Sequence, residues 1–185
     1  ASRLAGAGIV FNSLSVTVDE AAIKAAMLHE QAPARDIADA LAETKARRGA
    51  SKRPDAVVIG ADQVLVSEGR LFDKPRDLDE AADHLRLLRG KSHQLLSAAV
   101  VFEEARPVWR HIGVVRLTMR SISDEFLATY LATEGDTLLD TVGAYRLEAR
   151  GAQLFTGIQG DYFSVLGLPL LELLAFLRTR EICPT

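Results

Sequence analysis

The segment that most constrains this chain is Val57-Val58-Ile59-Gly60-Ala61-Asp62-Gln63-Val64, followed a little later by Lys74-Pro75. A run of apolar and small residues of this length is a buried strand, and it predicts that one carboxylate, Asp62, is delivered to a sheet edge while a lysine returns from the next turn. A carboxylate and an ammonium so placed suit metal-assisted phosphate chemistry. Taken alone, the element fits equally well an Asp that only caps a helix or turn.

At 185 residues and 48% hydrophobic, the chain can bury a proper core as one domain or two small lobes, and its composition excludes disorder. A net charge of −3 provides no global basic field for duplex nucleic acid, so any phosphate ligand must be met by a local cluster. The single cysteine, Cys183, excludes an internal disulfide and a cysteine-based zinc cage, fits a reducing compartment, and reads as a frayed tail thiol. The most apolar run, Val165 to Leu177, is broken by Glu172 and falls short of the ~20 residues of a bilayer span. With no signal-like segment, the expectation is a soluble cytoplasmic protein. The chain opens at Ala1-Ser2-Arg3 without a methionine, which suggests that an N-terminal piece is absent.

Local patterns predict a mixed α/β order. Ala1 to Gly6 reads as the end of a helix, and an extended segment runs from Ile9 to Val18. Pro33 opens a helix over Ala34 to Arg48, with Ile37, Leu41 and Thr44 on one face and Lys45 at its border. Short strands are expected at Asp55 to Val58 and Val64 to Leu71, the second reversing through Ser67-Glu68-Gly69. Asp77 and Glu80 form a capping-box-like start for a helix with Ala81, Leu85 and Leu88 inward, ended by Gly90. His93 to Phe102 and His111 to Met119 read as antiparallel strands joined around Pro107. Ser123 caps a helix with Phe126, Leu127, Tyr130 and Leu131 inward, stopped near Gly135. Strands are predicted at Thr141 to Leu147 and Asp161 to Leu166, and a last helix from Pro169 to Arg178. No domain boundary or repeat stands out.

Glu20, Lys45, Asp62 and Lys74 form a chemically coherent set if the fold gathers them. Two carboxylates can hold a hard divalent ion that keeps several waters, and one of them can take a proton from an attacking water. Two ammonium groups can offset the charge of a triphosphate and of a departing pyrophosphate. Singly, Glu20, Lys45 and Lys74 also fit solvated helix or turn residues. No competing machinery is present: His29, His84, His93 and His111 lack metal-ligand spacing, His84 reads as a surface side chain, and no phosphate-loop or dinucleotide glycine motif occurs. Arg146, Arg150 and Arg178 to Arg180 read as solvated charges, the lesser alternative being that one of them reaches the substrate.

Gly60-Ala61-Asp62-Gln63, Lys74-Pro75 and Gly160-Asp161-Tyr162-Phe163-Ser164-Val165-Leu166-Gly167-Leu168-Pro169-Leu170, in this order, resemble the Maf family of nucleoside triphosphate pyrophosphatases. The resemblance covers almost the whole chain. It implies one α/β domain over residues 1–185 of Maf or ITPase-like type, a mixed twisted sheet flanked by helices with two lobes around a central cleft, often a homodimer. It further implies hydrolysis of a nucleoside triphosphate to monophosphate and pyrophosphate with a divalent cation, Mg²⁺ or Mn²⁺. Asp62 matches the family's catalytic carboxylate, Glu20 its second acid, and Lys45 and Lys74 its two lysines, with Asp62 and Glu20 on the metal. The family's Ser-x-Ser-x-x-Arg phosphate loop is not in this sequence.

Two positions bear on the base. The branch associated with 7-methyl-GTP carries Gln and Glu where this chain has Gln63 and Glu148, whereas the dTTP/UTP branch usually has Thr and Gln. N7 methylation leaves a purine cationic, and a carboxylate attracts that charge and accepts from the guanine N1 and N2 donors. Glu148 equally fits an exposed strand residue. The expected function is therefore removal of a modified nucleotide. The alternatives are a dTTP/UTP pyrophosphatase of the same fold and a non-catalytic nucleotide-binding regulator of cell division.

Overall fold

The computed structural model describes residues 2–183. Helices α1 (Ser2–Gly6), α2 (Glu20–His29) and α3 (Ala34–Lys52) precede strands β1 (Val58–Ser67) and β2 (Arg70–Phe72), helix α4 (Leu78–Leu88) and strands β3 (Ser92–Glu103) and β4 (Arg106–Met119). Helix α5 (Asp124–Glu134), two 3-10 turns (Gly135–Asp140 and Arg150–Leu154), β5 (Phe155–Gln159), α6 (Tyr162–Val165) and α7 (Leu170–Thr179) complete the chain. The five strands form one sheet in the order β2-β1-β3-β4-β5, with helices beside it, as an α/β protein of this kind requires.

The chain divides into two compact units, each built from separated stretches: Ala1–Gln63, Leu96–Gly113 and Asp161–Thr185 in the first, Val64–Leu95 and Val114–Gly160 in the second. The core of the first unit gathers Leu4, Ala99, Val101, Leu168, Leu170, Leu173, Leu177 and Cys183, with Ile59 and Ala61 of β1 packed against it. In the second unit α4, α5 and the 3-10 turn Gly135–Asp140 pack together around Leu85, Leu88, Leu127, Tyr130 and Leu138, all buried.

Local signals explain most boundaries. Asp77 accepts from the Glu80 amide at 2.8 Å and the Glu80 carboxylate accepts from the Arg76 amide at 2.8 Å, which secures the start of α4. The Ser123 hydroxyl accepts from the Phe126 amide at 3.1 Å and starts α5. The β1–β2 hairpin pairs Ser67 with Arg70 across Glu68 and Gly69, both with positive φ as a tight reversal demands.

Several expectations are corrected. In place of short strands at 55–58 and 64–71, β1 runs unbroken from Val58 to Ser67 and β2 is a short partner paired with its last three residues, so Asp62 sits in the middle of a strand. Glycine at position 60 concealed that continuity. Helix α3 runs past Arg48 to Lys52 and stops at Arg53, the residue before Pro54, where a proline disfavours helical backbone. The β3–β4 turn is Glu104-Ala105, at φ values of 50° and 60°, and Pro107 lies inside β4 near its start. Residues 141–147 are turns, because Gly143 and Ala144 adopt left-handed φ values of 81° and 57° that break a strand. The strand expected at 161–166 is helix α6, capped by the Asp161 carboxylate accepting from the Ser164 amide at 2.7 Å, and the strand itself, β5, lies just before it. Residues 9–18 form no ladder.

His84 and Cys183 are also inside. His84 is 6% exposed and packs edge-on against Phe72 at 5.2 Å, because positions 81, 84, 85 and 88 share the inner face of α4. Cys183 joins the core of the first unit.

Helix and strand pack backbone to backbone where α3 meets β1. Ala38, Ala42, Ala46 and Ala50, four residues apart, are buried on α3 and give it a nearly flat side. A Cβ at Gly60 would collide with the Ala42 carbonyl oxygen and the Ala46 amide nitrogen, and would stand 2.7 Å from the Ala46 methyl. Gly60→Ala is expected to force helix and strand apart and to cost about 1–3 kcal/mol, read as a lowered denaturation midpoint with unchanged m-value. An unchanged midpoint would show that the contact is not limiting.

Candidate functional site

The α3–β1 contact decides where Lys45 and Asp62 stand. Side chains alternate along a strand, so Asp62 shares the α3-facing side of β1 with Gly60, while Ile59, Ala61 and Gln63 share the other. Lys45 lies next to Ala46 on α3 and reaches along the helix to that carboxylate. Its ammonium forms an ion pair with the Asp62 Oδ1 and a second one, at 2.8 Å, with the Glu20 Oε1. Side-chain exposures are 8% for Asp62, 25% for Lys45 and 42% for Glu20, a gradient from a buried acid to a wet one.

Glu20 arrives by a different route. The Asp19 carboxylate accepts from the Ala22 amide at 2.9 Å and starts α2, which puts Glu20 in the first helical position. An acid there also meets the positive end of the helix dipole. No residue of α2 is fully buried, although the helix packs on α3 and Ile23 and Met27 are half-buried, and its Glu20 carboxylate meets the Lys45 ammonium. Sequence reading missed α2, although Asp19 followed by the alanine-rich 21–26 stretch is an N-cap and helix signal.

The electrostatics are unequal. Burial disfavours the charged form of Asp62 and outweighs the Lys45 ammonium, so its pKa is raised; the nearby Glu20 charge pushes the same way. Burial also works against the Lys45 ammonium, but hydrogen bonds to Asp62 and Glu20 prevail and its pKa is raised. Lys45 therefore stays protonated, and Asp62 is a carboxylate poised to accept a proton.

Glu20 and Asp62 already converge on one cation, the Lys45 ammonium. Among the described residues no group of three His, Cys, Asp or Glu side chains gathers into a metal cage. Two carboxylates with solvent on one side are the donor set of a hard ion that keeps waters and takes phosphate oxygens, not of a protein-enclosed structural metal. The histidines do not compete. His93 is buried with its Nε2 2.7 Å from the Tyr145 hydroxyl, and burial pushes its pKa down to about 4.

The remaining sequence-predicted residues are placed as follows. Lys74 is exposed in the segment after β2, ahead of the buried Pro75, and belongs to the second unit. Glu148 is exposed in a turn of the second unit, not on a strand. Gln63 lies in the first unit, and its Nε2 donates to the Ser97 Oγ at 2.8 Å and to the Ser164 and Val165 carbonyl oxygens at 3.0 and 3.1 Å. Ser97 and Ser164 escaped sequence reading because a buried serine leaves no periodic signal.

A family model described as Maf-like protein matches residues 2–180. A protein of Ruegeria pomeroyi named nucleoside triphosphate pyrophosphatase is 50% identical over 100% of this chain and 93% of its own length. One of Caulobacter vibrioides with the same name is 51% identical over 95% of this chain and 87% of its own. A Brucella abortus protein named 7-methyl-GTP pyrophosphatase is 44% identical over 97% of this chain and 90% of its own.

The raised pKa of Asp62 has a stability signature. A group whose folded pKa lies above its unfolded value adds most to stability below the unfolded pKa and loses that contribution as pH rises through the folded one. Asp62→Asn removes the titration. In metal-free buffer the melting temperature of the variant should therefore gain on that of the wild type as pH is raised from about 4 to about 7, the range above a carboxylate's ordinary pKa. The opposite trend would mean that pairing, not burial, dominates at Asp62.

Proposed function

The chain belongs to the Maf family, and from that membership together with the Glu20–Lys45–Asp62 arrangement we propose that it hydrolyses a nucleoside triphosphate to the monophosphate and pyrophosphate. The observation that carries this is a buried carboxylate with a raised pKa, held by one ammonium beside a second, wetter carboxylate. Relatives that share about half of their residues with this chain over nearly its whole length bear the matching name.

In this reading Asp62 takes the proton from the water that attacks the α-phosphorus. As the new P–O bond forms, the α–β bridge breaks and pyrophosphate leaves with the electron pair. The elevated pKa suits a general base, because a more basic carboxylate accepts the proton with a stronger driving force. Lys45, cationic throughout, faces the charge that accumulates on the leaving group. Lys74 is assigned the second ammonium from its match to the family motif. Glu20 and Asp62 would hold a divalent cation, Mg²⁺ or Mn²⁺, which when bound neutralises phosphate charge and orients the reacting oxygens. With a polyphosphate bound, Lys45 would have new anions to pair with and could leave its bridging position.

For the base we propose 7-methyl-guanine. Its support is the Brucella relative's name, the Gln63 and Glu148 pair, and the attraction of a carboxylate for a purine made cationic by methylation. Glu148 is the base-reading candidate of the two. Its exposure limits the effect to the ~1 kcal/mol of a solvent-screened charge pair.

Pyrophosphate release from 7-methyl-GTP, GTP, dTTP and UTP with Mg²⁺ tests both levels. Asp62→Asn should lower kcat by about 10²–10⁴-fold, the usual worth of a general base, without unfolding the protein. Turnover at the wild-type rate would remove Asp62 from that role. Glu148→Gln should reduce the preference for 7-methyl-GTP over GTP by about fivefold, the equivalent of ~1 kcal/mol. A wild-type preference for dTTP or UTP would refute the methylated purine while leaving the pyrophosphatase activity intact, and a nucleotide that binds but stays whole would refute the activity itself.

A further inference from the structure

An ordinary surface helix turns its apolar residues to the protein and its charges to water. Helix α2 departs from this. Ala21, Ala22, Ala25 and Ala26 are exposed, while Glu20, Ile23, Lys24 and Met27, spaced as one stripe of a helix, are half-buried. The helix packs on α3, and this stripe is its covered side. Ile23 and Met27 are what such a side calls for, whereas two opposite charges are not. Glu20 is accounted for by its ion pair with the Lys45 ammonium of α3 at 2.8 Å. Lys24 stands one turn further along the same side, and Cβ atoms four residues apart on a helix are only ~5–6 Å from each other. The exposed alanine positions would leave a lysine fully hydrated, yet the lysine of this helix occupies none of them.

The Lys24 ammonium is also within electrostatic reach of the carboxylate on β1. Burial raises the pKa of Asp62 and the Glu20 charge adds to the rise, while the Lys45 ammonium in contact and the Lys24 ammonium through space work against it. Glu20, Lys24, Lys45 and Asp62 all belong to the first unit, whereas Lys74 belongs to the second. When both acids are ionised, Lys45 alone would leave the first unit's group of charges with a negative surplus facing any incoming polyanion. Lys24 cancels that surplus, and a divalent ion on the two acids makes the group cationic.

We propose that Lys24 is a further substrate-binding residue: its ammonium, carried on the covered side of α2 beside Glu20, takes an oxygen of the polyphosphate tail. The contact is the same whatever base the nucleotide bears. It rests on the reading of Glu20, Lys45 and Asp62 as the place where a nucleoside triphosphate is cleaved. A lysine suits the position, since its stem can lie along an apolar stripe while its head reaches past it. The tail is charged before the bond breaks as well as during breakage, so the contact holds ground state and transition state alike and acts on KM more than on kcat.

The test compares wild type with Lys24→Met, which keeps an unbranched stem and the helix propensity without the charge, and Lys24→Arg, which keeps the charge. Inorganic triphosphate is titrated calorimetrically at saturating Mn²⁺, and pyrophosphate release is followed from 7-methyl-GTP, GTP, dTTP and UTP, all well below the melting temperature of each variant. Lys24→Met should weaken triphosphate binding and raise KM for every nucleotide by about fivefold, the worth of a partly screened charge contact, with kcat within about twofold of wild type. Lys24→Arg should recover most of both. Unchanged KM and triphosphate affinity in a folded Lys24→Met would overturn the proposal. A loss that Lys24→Arg shares in full would overturn it too, by assigning the effect to the packing of α2. The same holds for a loss seen only as a greater Mn²⁺ requirement and absent at saturation, which would make Lys24 a support for Glu20, and for a KM rise confined to one nucleotide, which would mean contact with a base. Should the wild type release no pyrophosphate from any nucleotide, the proposed activity falls, and the triphosphate titration still decides whether Lys24 holds a polyanion.

Discussion

The close approach of α3 to β1 is the constraint on which the rest of the first unit depends. A lysine side chain is long, but the Lys45 ammonium meets a buried carboxylate only because the helix that bears it lies almost against the strand. Two features permit this: a file of alanines on the helix and a glycine at position 60 of the strand. Either alone would fail, since the hypothetical Cβ at 60 strikes helix backbone, which cannot rotate out of the way as a side chain can. What looks in the sequence like a loss of β propensity at Gly60 is the condition for the ion pair two residues on.

Around that contact the charges are graded by depth. Asp62 is almost enclosed, Lys45 is partly covered and Glu20 is wet, so the same ammonium serves one acid in a low-dielectric setting and another in water. Breaking a buried pair by removing one partner is costly, whereas exchanging one cation for another at the same two oxygens need not be. At Asp62 the ion pair and the burial oppose each other, and burial prevails, which leaves the carboxyl with a raised pKa.

How far this was legible in the sequence depended on whether the signal was local. Asp77 and Ser123 announce their helices because a cap needs only the three residues that follow it. The acid and amine positions could be picked out from Asp62, Lys45 and Glu20 because their order and neighbours resemble a known family. Their convergence could not be, since it comes from α3 packing on β1, a long-range event. The turns at 141–147 were mistaken for a strand because alternating apolar residues carry no information on φ, and only the left-handed Gly143 and Ala144 break the ladder. His84 looked like a surface residue by composition, although its place at the spacing of Ala81, Leu85 and Leu88 pointed inward. The network of Gln63, Ser97 and Ser164 was invisible for a different reason: hydrogen bonds between residues so far apart along the chain have no pattern to read.

Helix α2 adds a carboxylate to the site although none of its residues is fully buried and only Ile23 and Met27 among its large apolar side chains are half-covered. Position 20 is therefore held less by the core than by its helix cap and its ion pair, so the wet end of the site is the part that local opening of the chain would reach first.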